Sequence, residues 1–200
     1  MSLPFGTSVQ TYASYVQLLI VKLWNRCYYG ADEEPGRIGE AYSSMWTKFN
    51  DFWTDAPTLV SPYVYVGSAK NAADGGSLQR LGIMHVVNAT IDLPNFYRGL
   101  VDGPKTYTRV PLKDCRDASL VAMKDSIDHA IRNVEKAVAN KEPVLIHCMM
   151  GASRSVAVAC LYIRKAKSIQ AIEAYSGVSR ERRQARLNVS FMDDIRSWEF

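Results

Sequence analysis

A cysteine and an arginine separated by five residues are the side chains in this sequence best suited to act together chemically. Cys148 and Arg154 lie in the stretch HCMMGASRS, residues 147–155. An apolar run, Val144–His147, comes before it and another begins at Val156, so the stretch is predicted to join a buried strand to a helix. Because N–H groups at the start of a helix converge on one point and the helix dipole adds to their effect, such a loop favours an anion.

A thiol at the start of this loop is predicted to ionise readily. Free cysteine titrates near about 8.5, and N–H donors with a nearby arginine bring the pKa to roughly 3.5–7.5. The Cys148 thiolate is therefore a candidate nucleophile, and the planar guanidinium of Arg154 can hold two phosphate oxygens. The pattern predicts in-line attack on phosphorus, a phosphocysteine intermediate and its hydrolysis by water.

The remaining residues of the stretch are expected to support this chemistry. Gly151 allows the backbone to turn tightly beside the anion, and Ser155 can donate a hydrogen bond that makes the sulfur a better leaving group. His147 is expected to fix the loop by hydrogen bonding rather than to transfer protons. The residues predicted to line the phosphate site through their main chain are Met149, Met150, Gly151, Ala152 and Ser153.

Strands and helices alternate from about residue 57 onward. This alternation predicts an α/β domain with a mainly parallel central sheet flanked by helices. Predicted strands cover 63–66, 84–88, 106–110 and 144–147. Predicted helices cover 69–81 with a break at Gly75-Gly76, 120–138, 156–165, 168–177 and 191–198.

Residues 1–55 are predicted to form an N-terminal helical extension, separate from a catalytic domain over 56–200. Apolar residues recur at helical spacing near 8–28 and again over 45–53. The apolar stripe of the first of these helices is wider than packing on one domain requires. We therefore expect this helix also to mediate a homodimer.

The Cys148 stretch resembles the signature of the cysteine-based protein phosphatases, and the wider sequence resembles their dual-specificity branch. The segments 63–73 and 81–90 look like that branch's first two strand-and-turn units, and Asn188 with Phe191 is similar to its Asn-x-x-Phe element. The resemblance covers about residues 57–200. It implies a phosphatase of the same α/β fold that acts on phosphorylated proteins, at phospho-Tyr and phospho-Ser/Thr, with Asn188 in a supporting role.

The resemblance also implies a general acid, because the leaving oxygen needs a proton. In this family an aspartate on a loop upstream of the signature supplies it. Asp114, at the end of Val110-Pro111-Leu112-Lys113-Asp114, matches that position. Asp117 lies on the same loop and is the alternative.

Two other functions are compatible with these residues. The first is a phosphoprotein-binding module with little turnover, and the second is a phosphatase for RNA 5′ ends or lipid phosphates. The loop interior at Met149, Met150, Ala152 and Ser153 contains no lysine or histidine. This absence argues against the phosphoinositide phosphatases and, less strongly, against the RNA enzymes.

A basic cluster, Arg180, Arg182, Arg183 and Arg186, precedes the last predicted helix. Its simplest interpretation is a solvated helix end. The alternative is a patch that steers acidic or phosphorylated substrates toward the site.

Composition limits the remaining partners. The net charge is only +4 and no aromatic residues alternate with the arginines, so no nucleic acid partner is expected. The apolar run at 16–24 is too short to span a membrane. The three histidines lack metal-ligand spacing, so neither a metal nor another cofactor is expected. Scattered cysteines without a signal peptide favour the reducing cytoplasm, with the nucleus left open.

Overall fold

The computed structural model describes residues 56–97, 103–113, 115 and 118–200. The chain separates into two units, Met1–Asp55 and Ala56–Phe200, and the described residues all belong to the second. The predicted helical extension therefore lies outside the described residues. The assignment of domains and the homodimer through the first helix stay predictions.

The second unit contains five strands, six α-helices and one short 3₁₀ helix within its described residues. The strands are β1 (Thr58–Ser61), β2 (Val64–Gly67), β3 (His85–Asn88), β4 (Thr106–Arg109) and β5 (Val144–His147). The helices are α1 (Ala69–Ala73), α2 (Gly75–Arg80), the 3₁₀ turn Val121–Met123, α3 (Lys124–Ala139), α4 (Arg154–Lys167), α5 (Ala171–Glu181), α6 (Val189–Ser197).

The strands form one sheet in the order β1-β2-β5-β3-β4. Only β1 runs antiparallel to its neighbour, and the other pairings are parallel. The prediction of a mainly parallel sheet is confirmed. β5 is central and all four of its residues are buried, as expected for a strand with covered faces and an apolar sequence.

The carboxyl ends of the central strands lie side by side. His147, the last residue of β5, pairs with Gly67 at the end of β2 and with Asn88 at the end of β3. The loops that follow these strands therefore emerge from the same edge of the sheet. In open parallel sheets, ligand sites form at this edge, where neighbouring connections diverge.

Two predicted features differ from the structure for local reasons. The break in the helix over 69–81 lies at Asp74, whose carboxylate accepts the Ser77 N–H at 3.1 Å and so caps α2, while Gly75 and Gly76 begin that helix. Helix α4 continues to Lys167 and ends where Ser168 adopts a left-handed conformation with φ of 52°. The next helix consequently begins at Ala171 rather than at 168.

Strand β1 was not among the predicted strands. It is a four-residue edge strand whose residues are half-buried or exposed. The segment has neither a continuous apolar run nor a strict alternation of apolar and polar residues, so no sequence pattern predicts a strand there. Its extended conformation depends on its pairing with β2.

Candidate active site

Residues 148–153, the Cys148 loop, connect the end of β5 to the beginning of α4. The loop lies against the end of β2, where the Cys148 N–H donates to the Gly67 carbonyl at 3.4 Å. Gly151 makes the turn with φ of +67°. A Cβ atom there would lie 2.5 Å from Nη2 of Arg182 and 2.6 Å from the Gly67 carbonyl group. The position therefore requires glycine for both its conformation and its surroundings.

The thiol of Cys148 is buried, with 2% of the residue exposed. Its Sγ accepts hydrogen bonds from the Gly151 N–H at 3.1 Å and from the Ser155 hydroxyl at 3.3 Å. Burial by itself would raise the pKa of this thiol, but the charge of Arg154 and the hydrogen bonds from Ser155 and Gly151 outweigh it. The pKa of Cys148 consequently lies below the ordinary value of a thiol, which favours the thiolate.

Arg154 is the first residue of α4 and is 4% exposed. The residue before it, Ser153, does not cap the helix with its side chain. Its hydroxyl instead accepts the Asn188 N–H at 3.2 Å. The Ser153 hydroxyl therefore does not occupy the N–H groups at the beginning of α4, where an anion site can form.

His147 is fully buried and is kept neutral. Desolvation lowers its pKa to about 4, and the charges of Arg109 and Arg154 act in the same direction. Its Nδ1 lies 3.4 Å from the Cys148 carbonyl oxygen. Since a carbonyl can only accept, Nδ1 carries the proton and donates. This hydrogen bond agrees with the predicted loop-fixing role, and a neutral buried imidazole is poorly suited to proton transfer.

The beginning of α1 holds a second carbonyl of the loop. The Ala69 N–H donates to the Met149 carbonyl at 3.0 Å. A trans peptide carries its N–H on the side opposite its carbonyl, so the Met150 N–H points away from α1. Ala69 did not stand out in the sequence, because any residue except proline could supply this donor.

Both candidate general acids, Asp114 and Asp117, lie outside the described residues. Their neighbour Cys115 is described, and its carbonyl accepts a hydrogen bond from the Asn188 side chain at 3.1 Å. Because the Asn188 N–H also binds Ser153, this one residue connects the acid-bearing segment to the Cys148 loop. The connection does not distinguish between the two aspartates.

Helix α6 also holds the chain just beyond that segment. The Ser190 hydroxyl donates to the Ala118 carbonyl at 3.0 Å, and the Asp194 carboxylate accepts the Leu120 N–H at 2.6 Å. The Asn-x-x-Phe element at the beginning of α6 thus belongs to the site's framework, and the Phe191 side chain is buried in the core.

The basic cluster is not uniformly a solvated helix end, and this interpretation is wrong for Arg182. Arg180, Arg183 and Arg186 are exposed, whereas Arg182 is 1% exposed. Its Nε donates to the Gly151 carbonyl at 2.6 Å. Sequence reasoning missed this role because nothing local separates Arg182 from its exposed neighbours.

Comparison with known proteins agrees with the geometry. Residues 64–200 match the family model described as dual specificity phosphatase, catalytic domain. The chain belongs to the dual specificity phosphatase family. It is 32% identical to human dual specificity protein phosphatase 9 over 143 residues, which are 72% of this chain and 36% of the relative. The match to the Drosophila melanogaster protein phosphatase Slingshot is 31% over 144 residues, 72% of this chain and 13% of the relative.

The chain spans about a third or less of the length of these two relatives. Among solved structures, human DUSP28 is similar with a TM-score of 0.62 and 26% identity, covering 70% of this chain and 89% of that one. Human tyrosine phosphatase-like serine/threonine/tyrosine-interacting protein has a TM-score of 0.61 at 19% identity, covering 70% and 93%. The second likeness concerns the fold alone.

Within the described part of the chain, no cluster of three or more histidine, cysteine, aspartate or glutamate side chains has the arrangement of a metal site. No helix among the same residues has the length and apolar character needed to cross a bilayer.

Replacing Gly151 by alanine is expected to destabilise the protein more than the same change at Gly82. Both glycines have positive φ, +67° and +62°, but nothing lies within 4 Å of a Cβ at Gly82. Gly82→Ala should therefore cost only the left-handed strain, about 1 kcal/mol. Gly151→Ala should lower the free energy of unfolding by a further ~1–3 kcal/mol from overpacking. Urea unfolding measures both, and equal losses would contradict the steric argument.

The buried His147 is expected to make stability fall with acidity. Its folded pKa of about 4 lies below the unfolded value of 6.5, so between these values the unfolded chain binds a proton that the native state does not. This difference should cost about 2 kcal/mol of unfolding free energy between pH 7 and pH 5. Urea unfolding of wild type and His147→Asn at both pH values isolates the contribution. An identical pH dependence in the two proteins would contradict it.

Proposed function

We propose that this protein is a phosphatase that hydrolyses phosphate monoesters on proteins through a phosphocysteine at Cys148. The observation that carries the proposal is a buried thiol with a lowered pKa, beside Arg154 and at the beginning of a helix. A nucleophile of this kind needs an electrophile that arrives as an anion, and phosphate fits both the donors and the charge. Membership of the dual specificity phosphatase family supports the same reaction.

In the first step the Cys148 thiolate attacks phosphorus in line with the leaving oxygen. The S–P bond forms as the P–O bond to the substrate breaks, and the departing oxygen takes a proton from Asp114. The Arg154 guanidinium holds two nonbridging oxygens through this change. Asn188 supports an acid from this segment, because it connects the Cys115 carbonyl, which lies between Asp114 and Asp117 in the sequence, to the Cys148 loop.

In the second step water attacks phosphorus and the S–P bond breaks. The Asp114 carboxylate accepts the proton from water, and inorganic phosphate and the thiolate are released. Ser155 supports this step, because its hydroxyl lies 3.3 Å from Sγ and can stabilise the charge that returns to the sulfur. The main-chain N–H groups from Met149 to Ser153 hold the phosphate throughout.

Phosphorylated proteins carrying phospho-Tyr and phospho-Ser/Thr are the proposed substrates. Family membership supports this class. A polyphosphorylated lipid or an RNA triphosphate would favour additional positive side chains in the pocket. The loop residues Met149, Met150, Ala152 and Ser153 supply none. A thiolate nucleophile requires a reducing compartment, so we expect the protein to act in the cytoplasm or nucleus.

Replacing Cys148 by serine should abolish turnover, since a serine hydroxyl in this position lacks the low pKa of the thiol. The measurement is hydrolysis of p-nitrophenyl phosphate, with vanadate as inhibitor. Cys160→Ala is the matched control, because Cys160 is buried with a pKa raised to about 12 by desolvation and remains a neutral thiol. An inactive, folded wild type that retains phosphopeptides would contradict the proposal and identify a binding module instead.

The same assay extends to the substrate class. Peptides containing phospho-Tyr, phospho-Ser or phospho-Thr should be dephosphorylated, whereas phosphoinositide vesicles and 5′-triphosphorylated RNA should not. Preferential hydrolysis of the lipid or RNA would replace the protein substrate by that class.

Replacing Asp114 by asparagine should affect substrates according to their leaving group. A phosphoserine peptide, whose alkoxide leaves poorly, should lose about 10²-fold or more in kcat, and p-nitrophenyl phosphate, whose phenolate needs little protonation, should lose much less. Asp117→Asn is the matched control from the same segment. The opposite result, with the leaving-group dependence in Asp117→Asn, would transfer the acid role to Asp117.

A further inference from the structure

Two consecutive carbonyls of the Cys148 loop accept hydrogen bonds from the connection between α5 and α6. The Nε of Arg182 donates to the Gly151 carbonyl at 2.6 Å. The backbone N–H of Arg186 donates to the Ala152 carbonyl at 2.7 Å. Both donors come from a segment about thirty residues further along the chain.

These carbonyls determine where the adjacent N–H groups point. No peptide bond among the described residues is cis, and in a trans peptide the N–H is antiparallel to the carbonyl. The Gly151 carbonyl belongs to the same planar unit as the Ala152 N–H, and the Ala152 carbonyl to the same unit as the Ser153 N–H. Holding the two carbonyls toward the α5–α6 connection turns both N–H groups the other way.

Arg182 is itself held from a second side. Its Nη1 donates to the Thr58 hydroxyl in β1 at 3.0 Å, and its backbone N–H donates to the Val178 carbonyl at 2.9 Å. The guanidinium is a rigid planar fork, so anchoring one nitrogen orients the others. Burial at 1% exposure strengthens its hydrogen bonds by excluding competing water.

We infer that Arg182 is a positioning residue for the proposed reaction. It holds the Gly151–Ala152 peptide so that the Ala152 N–H faces the phosphate and stabilises the oxygens of the transition state. This role concerns the same site as the proposed function and rests on it for the reaction, but phosphate binding tests it separately.

The role differs from that of Arg154, whose charge lowers the pKa of Cys148. The N–H group that donates to Sγ belongs to Gly151, and its peptide unit contains the Met150 carbonyl rather than the carbonyl that Arg182 holds. Loss of the Arg182 side chain should therefore weaken oxyanion binding and leave ionisation of the thiol nearly unchanged. General disruption of the loop would alter both.

The test compares Arg182→Met, Arg182→Lys and Thr58→Val in the 200-residue chain. Arg183→Met is the matched control, because Arg183 is the exposed neighbour. Two measurements do not require turnover. The concentration of inorganic phosphate that protects Cys148 from alkylation by iodoacetate reports oxyanion binding, and the pH dependence of that alkylation reports ionisation of the thiol. A third readout is kcat/KM for p-nitrophenyl phosphate.

Arg182→Met should raise the protecting phosphate concentration about tenfold, as expected for loss of an oriented donor to a charged group. It should lower kcat/KM about 10²-fold, the effect of one misaligned oxyanion donor. Arg182→Lys should recover part of the loss, because one ammonium can bind the Gly151 carbonyl without also reaching Thr58. Thr58→Val should show a smaller loss, and Arg183→Met none.

Phosphate protection in Arg182→Met that equals wild type within about twofold would overturn the inference. The inference would also be overturned if folded Arg182→Met lost phosphate binding and the pH dependence of Cys148 alkylation shifted with it, because that result indicates general disruption of the loop. If Arg182→Met does not fold, undiminished phosphate binding in both Arg182→Lys and Thr58→Val would overturn it. A wild type that binds phosphate without hydrolysing esters would refute the proposed function while leaving the Arg182 comparison valid.

Discussion

Stabilising a thiolate inside the protein is the constraint on which the rest of the proposed site depends. Removing an ion from water costs several kcal/mol unless nearby groups replace its hydration. At Cys148 that replacement comes from the charge of Arg154, the Ser155 hydroxyl and the Gly151 N–H. These groups all follow the cysteine within one loop and the first turn of α4, so the strand, the loop and the helix must keep their relative positions.

The shape of the loop is maintained from outside as much as from within. Its carbonyls bind His147, the beginning of α1 and the connection between α5 and α6, and its glycine rests on the end of β2. With the carbonyls occupied on the outside, the N–H groups remain for an anion on the inside. The donors proposed to bind phosphate are therefore oriented before any ligand arrives, which lowers the free-energy cost of binding.

Electrostatic roles are divided among residues of different kinds. His147 lies next to Cys148 but is neutral, since burial and two nearby arginines disfavour its protonation. The His147 imidazole can orient the Cys148 carbonyl, and it stays uncharged when the pH changes near neutrality. Arg154 supplies the charge, and Arg182 supplies geometry from behind the loop. Asn188 extends the framework to the segment that carries the candidate acids.

The sequence by itself determined the alternating α/β pattern, the mainly parallel sheet and the strand–loop–helix unit that contains Cys148, Gly151, Arg154 and Ser155. These features are local: apolar periodicity and short spacing along the chain express them directly. The tertiary structure alone decided that β1 pairs at the sheet edge, that Ala69 binds the Met149 carbonyl, and that Arg182 is buried behind Gly151 beside its exposed neighbours. The contacts of Ala69 and Arg182 join segments between about thirty and more than a hundred residues apart, such as Arg182 with Thr58, whereas β1 pairs with the neighbouring strand β2. No pattern within either segment encodes them, because they arise only when packing brings the two surfaces together.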